Sequence, residues 1–127
     1  MAYEQMLRNV GIPASTDLSA SQFCFVVVNS SGQLALPSAG GDADGVLQDK
    51  PSAQYVEGSV AVLGISKVKV GALASVTAGD LVMTDASGNA VTAAGAGKKI
   101  LGRALATGAA GTIIPVLIQQ KGSVPAS

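Results

Sequence analysis

The chain has no histidine, no tryptophan and one cysteine, and only 13% of its residues are charged and 3% aromatic. Each scarcity removes a class of chemistry. Without histidine, acid–base catalysis near neutral pH must draw on a coupled carboxylate pair, an activated cysteine or a metal. Cys24 cannot close an internal disulfide, and the chain offers no base to make it a nucleophile. It sits within the apolar run Phe23–Val28 and reads as a small buried hydrophobe. That run is the longest uninterrupted apolar stretch and is far too short to span a membrane. Eight basic and eight acidic residues are spread along the chain, so no basic cluster is available to neutralise phosphates. Nucleic acid and membrane are therefore not expected partners. Met1-Ala2-Tyr3-Glu4 has no basic segment leading into an apolar one, and no secretory signal is expected.

What is there in abundance is small. The 127 residues include 21 Ala and 16 Gly, which predicts one domain with a thin core of small side chains. Buried Ala or Val contributes less transfer free energy than Leu or Phe, so an isolated monomer should be only modestly stable. With few charges, the surface must be largely Ala, Ser, Thr and Gly. Such a surface costs little to desolvate and suits oligomerisation or lying flat on another protein. The plainer alternative is a secreted or engineered-looking domain with a neutral surface.

The apolar residues alternate in short segments divided by turn signals, which predicts an all-β fold. Eight or nine short antiparallel strands at intervals of roughly ten residues suggest a small barrel or sandwich. Ser21–Asn29 reads as the first strand, with Phe23, Phe25 and Val27 on one face and Cys24, Val26 and Val28 on the other. Apolar residues on both faces imply burial on both sides. Asn29–Gly32 turns into Gln33–Leu36, Gly45–Leu47 is a short strand, and Ser59–Ile65 another. In Lys67-Val68-Lys69-Val70 the valines should face the core and the lysines solvent or an acidic partner. Leu81–Thr84 and Ala90–Thr92 flank the hairpin loop Asp85–Asn89. Lys99–Ala106 and Thr112–Gln119 follow, the last an edge or bulged strand because Pro115 lacks an amide donor.

The ends differ from this pattern. Residues 1–20 read as an extended N-terminal arm, 21–121 as the β-rich domain and 122–127 as a flexible tail. Within the arm, Tyr3–Val10 could form a short amphipathic helix through Met6, Leu7 and Val10, stopped by Gly11 and Pro13. Ala14–Ala20 reads as flexible linker. An arm of this kind is ordered by a neighbour rather than by its own domain.

Motifs with chemical meaning are weak. Gly95-Ala96-Gly97-Lys98 lacks the spacing of a phosphate loop and is a turn. Gly40–Gly45 clusters Asp42 and Asp44, yet Val46 stands where a calcium loop needs its next oxygen ligand. Asp80 and Asp85 occupy turn positions, where a carboxylate accepts local backbone hydrogen bonds. No catalytic residue, metal ligand or cofactor site is assigned.

Several segments together carry a resemblance. They are Gly45–Pro51, Lys67–Gly71, Ala78–Val82 with Asp85-x-x-Gly88, Ile100–Ala104 and the closing Ile113–Ile118. Across residues 33–118 this pattern resembles the small decoration, or cement, proteins of tailed bacteriophage capsids. The resemblance implies a compact β-fold, commonly trimeric, made in the host cytoplasm and bound to the outer capsid surface. Its implied partners are the major capsid protein and further copies of itself, and its implied role is to bridge neighbouring capsid subunits. The arm lies outside the matching stretch; its Tyr3, Met6, Leu7, Val10 and Ile12 are the candidate capsid-binding residues. Two rivals stay open. One is a small ligand-binding or enzymatic β-barrel using Asp80, Asp85 and Lys67 or Lys69. The other is a carrier domain with a lysine at a hairpin tip, although the Asp85–Asn89 loop holds none.

Overall fold

The structure, a computed structural model, describes residues 5–125. It is all-β: nine strands and no helix among the described residues. They are β1 (Gln5–Pro13), β2 (Phe25–Val28), β3 (Leu34–Ala35), β4 (Gly45–Leu47), β5 (Glu57–Lys69), β6 (Leu81–Thr84), β7 (Ala90–Thr92), β8 (Gly102–Ala104) and β9 (Ile113–Ile118). All strand pairs are antiparallel, in the order β3-β2-β4-β5-β9-β8-β6-β7, with β1 added alongside β5. The sheet curls into a half-barrel.

Period-two alternation in β2, β4 and β5 divides the interior. Phe25, Val46 and Ala61 enter one buried cluster with Val68, Val70, Val82, Leu101, Ile114 and Val116. Their chain neighbours Val26, Leu47 and Val60 enter a second cluster with Ala14, Leu18 and Leu34. The register agrees with this division: Val46 pairs with Phe25 and Ala61, and Leu47 with Val60. Phe25–Val26, Val46–Leu47 and Val60–Ala61 are thus buried on both sides, whereas Val28 of β2 and Leu63 of β5, apolar in the same pattern, are exposed.

Beyond this shared wall, β5, β9, β8, β6 and β7 wrap around the first cluster. A parallel bridge from Val70 to Ala90 ties the last of them back to the end of β5, and the Gly71 amide donates to the Ala90 carbonyl at 3.0 Å. The loop of the β6–β7 hairpin docks on β2, where the Phe25 amide donates to the Gly88 carbonyl at 2.7 Å. Gly88 has φ +84°, and a Cβ there would lie 2.5 Å from the Phe25 carbonyl oxygen, so only glycine fits this approach. The thirteen-residue β5 accommodates its bend near Gly64, at φ +102°, beside register shifts between Met6 and Asn9 of β1.

Five expectations need correction. The helix over Tyr3–Val10 is replaced by β1, whose residues from Gln5 pair with β5 from Ile65 to Glu57; the long strand supplies backbone partners that outweigh a short helix. Ala14–Ala20 is not a loose linker, because Ala14 and Leu18 are fully buried and the Ala14 amide donates to the Val56 carbonyl at 2.8 Å. The first strand begins at Phe25 rather than Ser21; Phe23 adopts a left-handed φ of +64°, which breaks the alternation. Pro115 lies in a central strand without a bulge, between β5 and β8. It is tolerated there because its nitrogen faces Leu105, one residue past the end of β8, where the ladder stops after the Leu105 amide donates to the Pro115 carbonyl. Finally, the tail is tied down through Val124: Gly97 donates to its carbonyl and its amide donates to Lys98. Residues 126 and 127 of that tail lie outside the described residues.

The second cluster makes the segment after β1 structural. Leu18→Ala should lower unfolding free energy by about 2–4 kcal/mol in urea titration, through lost burial and a residual cavity. Leu73→Ser, at a fully exposed turn position, should stay within about 0.5 kcal/mol of the parent.

Candidate interaction surface

Asp80 and Asp85 stand at opposite ends of β6, roughly 17 Å apart at the strand rise. Asp80 accepts the Thr77 amide at 3.0 Å, and Asp85 accepts the Ser87 and Asn89 amides, both at 2.9 Å. Both carboxylates therefore serve their own turns, as their positions predict. Asp44 accepts the Val28 amide at 2.7 Å and Asp42 the Ala43 amide at 3.0 Å. Among the described residues, no cluster of three or more His, Cys, Asp or Glu side chains could hold a metal ion. Gly95–Lys98 is a turn closed by the Lys98 amide on the Gly95 carbonyl. Cys24 is buried, and burial pushes its thiol pKa up; Lys69 opposes this weakly and Asp85 adds to it. A thiol that resists ionisation is a poor nucleophile.

What the surface does offer is an apolar groove rimmed by lysines. The β5–β9 register places Lys67 opposite Pro115 and Lys69 opposite Ile113, while Val68 and Ile114 between them point inward. The outer face therefore alternates two ammonium groups with two apolar side chains. Phe23 joins them from the turn before β2. Its amide donates to the Leu47 carbonyl at 2.7 Å and its carbonyl accepts the Lys69 amide at 2.9 Å. Held at both ends, the residue takes φ +64°, and its ring lies under the Lys67 ammonium, 5.7 Å from ring centre to nitrogen. Two adjoining depressions of about 310 and 330 Å³ share Phe23 and Ile113; Lys50 and Lys69 line one, Lys67 and Pro115 the other. Among the described residues neither is lined by an acidic one, and Asp17 stands just outside, accepting the Ser19 amide at 2.9 Å.

A left-handed φ costs a non-glycine residue roughly 1–2 kcal/mol. Only Phe23 and Tyr55 bear this cost among the described non-glycine residues, and Tyr55 is 71% exposed. The Tyr55 conformation is held by its amide, which donates to the Ala14 carbonyl at 2.8 Å. Phe23 is half-buried, so its ring keeps packing contact on a backbone conformation that glycine would adopt without strain.

The candidate arm residues are not gathered into this groove. Val10 and Ile12 are half-buried and pack against the second cluster. Met6 and Leu7 belong to β1, and Tyr3 lies outside the described residues. The groove was legible only in part: Lys67 and Lys69 share a face by alternation, but their cross-strand partners and Phe23 come from elsewhere in the chain.

No family model matches the chain, and no curated protein matches it. Among solved structures it is similar to the head fiber gp8.5 N base in bacteriophage phi29, with a TM-score of 0.73 and 12% identity. The correspondence covers 94% of this chain and 98% of that one. At this identity it is the fold that the two share.

Two measurements check the local account. Phe23→Gly should leave stability within about 1 kcal/mol of the parent, as relief of strain offsets lost contact and added unfolded-state entropy. Phe25→Ala, two residues on and fully buried, should cost about 3–5 kcal/mol. Cys24 in the native protein should react with a thiol reagent about a hundredfold more slowly than in denaturant.

Proposed function

We propose that this chain is a structural domain of a tailed-phage virion that sits on the outer surface of the head and binds the major capsid protein. The observation that carries the reading is the end-to-end fold correspondence with the base of a phage head fiber. The turn-and-strand pattern over residues 33–118, which resembles capsid decoration proteins, points the same way. The chemistry is consistent with a binding role: turn carboxylates spent on local amides, a buried thiol, and apolar side chains such as Leu63 and Ile113 about half exposed. A surface of this kind gains free energy by being covered.

The finer role is cementing: copies of the domain, grouped as a trimer, bridge neighbouring capsid subunits. Many identical contacts around a symmetry axis give avidity without a deep pocket. A protein that binds only the assembled shell stabilises it by mass action.

Purified protein added to expanded capsids should co-sediment with them and raise the temperature at which they rupture, measured by calorimetry. Binding without a rise in rupture temperature would leave attachment and remove cementing; absence of binding would remove both. Sedimentation equilibrium at tens of micromolar, a concentration suited to moderate interfaces, should give a trimer mass; a monomer would remove the trimeric grouping.

A further inference from the structure

We propose that the groove centred on Phe23 docks an extended acidic segment of the shell protein, with an apolar side chain of that segment against Phe23, Ile113 and Pro115 and its carboxylates on Lys50, Lys67 and Lys69. The identity of the partner rests on the capsid-binding reading; the chemistry of the groove does not.

Charge argues for the class of occupant. The whole chain is neutral, yet three of its eight basic residues rim this one groove and, among the described residues, no acidic residue lines it; Asp17 stands at its margin, its carboxylate accepting the Ser19 amide. A neutral protein that segregates charge in this way presents a local field complementary to carboxylates. Shape argues for an extended segment. Lys67 and Lys69 are two residues apart on the same face of β5, so their stems are separated by roughly 7 Å. Side chains two apart on an extended partner have the same spacing, so acid-x-acid matches the lysine pair in register. Pro115 and Ile113 form a row alongside the lysine row, so a segment lying edge-on between the rows turns its acids to one and the alternate apolar residues to the other. Phe23 has few rotatable bonds, is clamped by two backbone hydrogen bonds, and stands beside Ile113 in both depressions. A rigid aromatic placed this way gives contact area with little entropy to lose. The strain at Phe23 fits a residue retained for its ring, since the backbone there favours glycine.

The full-length protein, isotopically labelled, is titrated by NMR with the capped peptide Glu-Leu-Glu-Leu-Glu and with its charge-reversed counterpart Lys-Leu-Lys-Leu-Lys. The acidic peptide should shift the amides of Phe23, Lys50, Lys67, Lys69 and Ile113. Its affinity should fall several-fold when salt is raised from about 0.05 to 0.5 M, as screening shortens the reach of the lysines. The basic peptide should give no localised shifts. Phe23→Gly, and separately the pair Lys67→Glu with Lys69→Glu, should weaken acidic-peptide binding at least tenfold while the spectra stay dispersed. Tyr55→Gly relieves the same kind of strain away from the groove and should bind like the parent. Shifts scattered over the surface, equal response to both peptides, or unchanged binding by Phe23→Gly would overturn the proposal. So would a Phe23→Gly protein that falls from oligomer to monomer while the parent never binds the peptide, which assigns the groove to a contact between copies.

The same variants added to expanded capsids separate the two readings. If the parent binds capsids and the groove variants bind equally well, the groove proposal fails and the capsid reading stands. If the parent does not bind capsids, the capsid reading fails, the shell is removed as partner, and the peptide titration alone decides the chemistry of the groove.

Discussion

Where β2, β4 and β5 lie side by side, a step of one residue carries the side chain from one buried cluster to the other, and the rest of the molecule is arranged around that partition. Phe25 and Val26, Val46 and Leu47, and Ala61 and Val60 are divided in this way. A slip of one residue in either ladder would exchange the two sets and place a phenylalanine where the second cluster holds valine. The register is therefore specified twice, once from each side. This also helps a chain so rich in Ala and Gly to sustain a fold: where the wall is buried on both faces, β2 and β4 each contribute to two clusters. The segment after β1 is needed for the same reason, because Ala14 and Leu18 cover the face that the half-barrel leaves open.

The groove is a consequence of the same alternation at the far end of β5. There the inner face holds Val68 and Val70, so Lys67 and Lys69 must project outward. Their neighbours across the ladder, Pro115 and Ile113, project the same way. The connection from the second cluster into β2 then crosses close to Lys69, and the crossing forces Phe23 out of the strand conformation that Phe25 adopts two residues later. Fold and surface are thus coupled: the backbone bonds that complete the wall also set the ring on the outside. Among the described residues nothing comparable concentrates the carboxylates; Asp80 and Asp85 serve the turns they stabilise.

Local signals were reliable where the physics is local. The hairpin at Asp85–Asn89, the turn at Asn29–Gly32, the strands Gly45–Leu47, Leu81–Thr84 and Ala90–Thr92, and the inward valines of Lys67–Val70 all follow from turn chemistry and alternation. The errors cluster where a distant partner decides. Residues 5–10 satisfy a helical spacing as well as an extended one, and only β5 selects between them. Phe23 reads as one more member of an alternating run until Leu47 and Lys69 are seen to hold its backbone. Pro115 reads as an edge residue until the short β8 is seen to end beside it.

By itself, the sequence determined an all-β domain with two-faced strands and turn-bound carboxylates, because these depend on composition and on neighbours within a few residues. Tertiary structure alone decided that residues 10–18 close a second core, that β9 lies in the middle of the sheet, and that Phe23 meets Lys67 and Ile113 at one groove. Each of these joins residues dozens of positions apart. Alternation says which way a side chain points but carries no information about which strand will lie beside it.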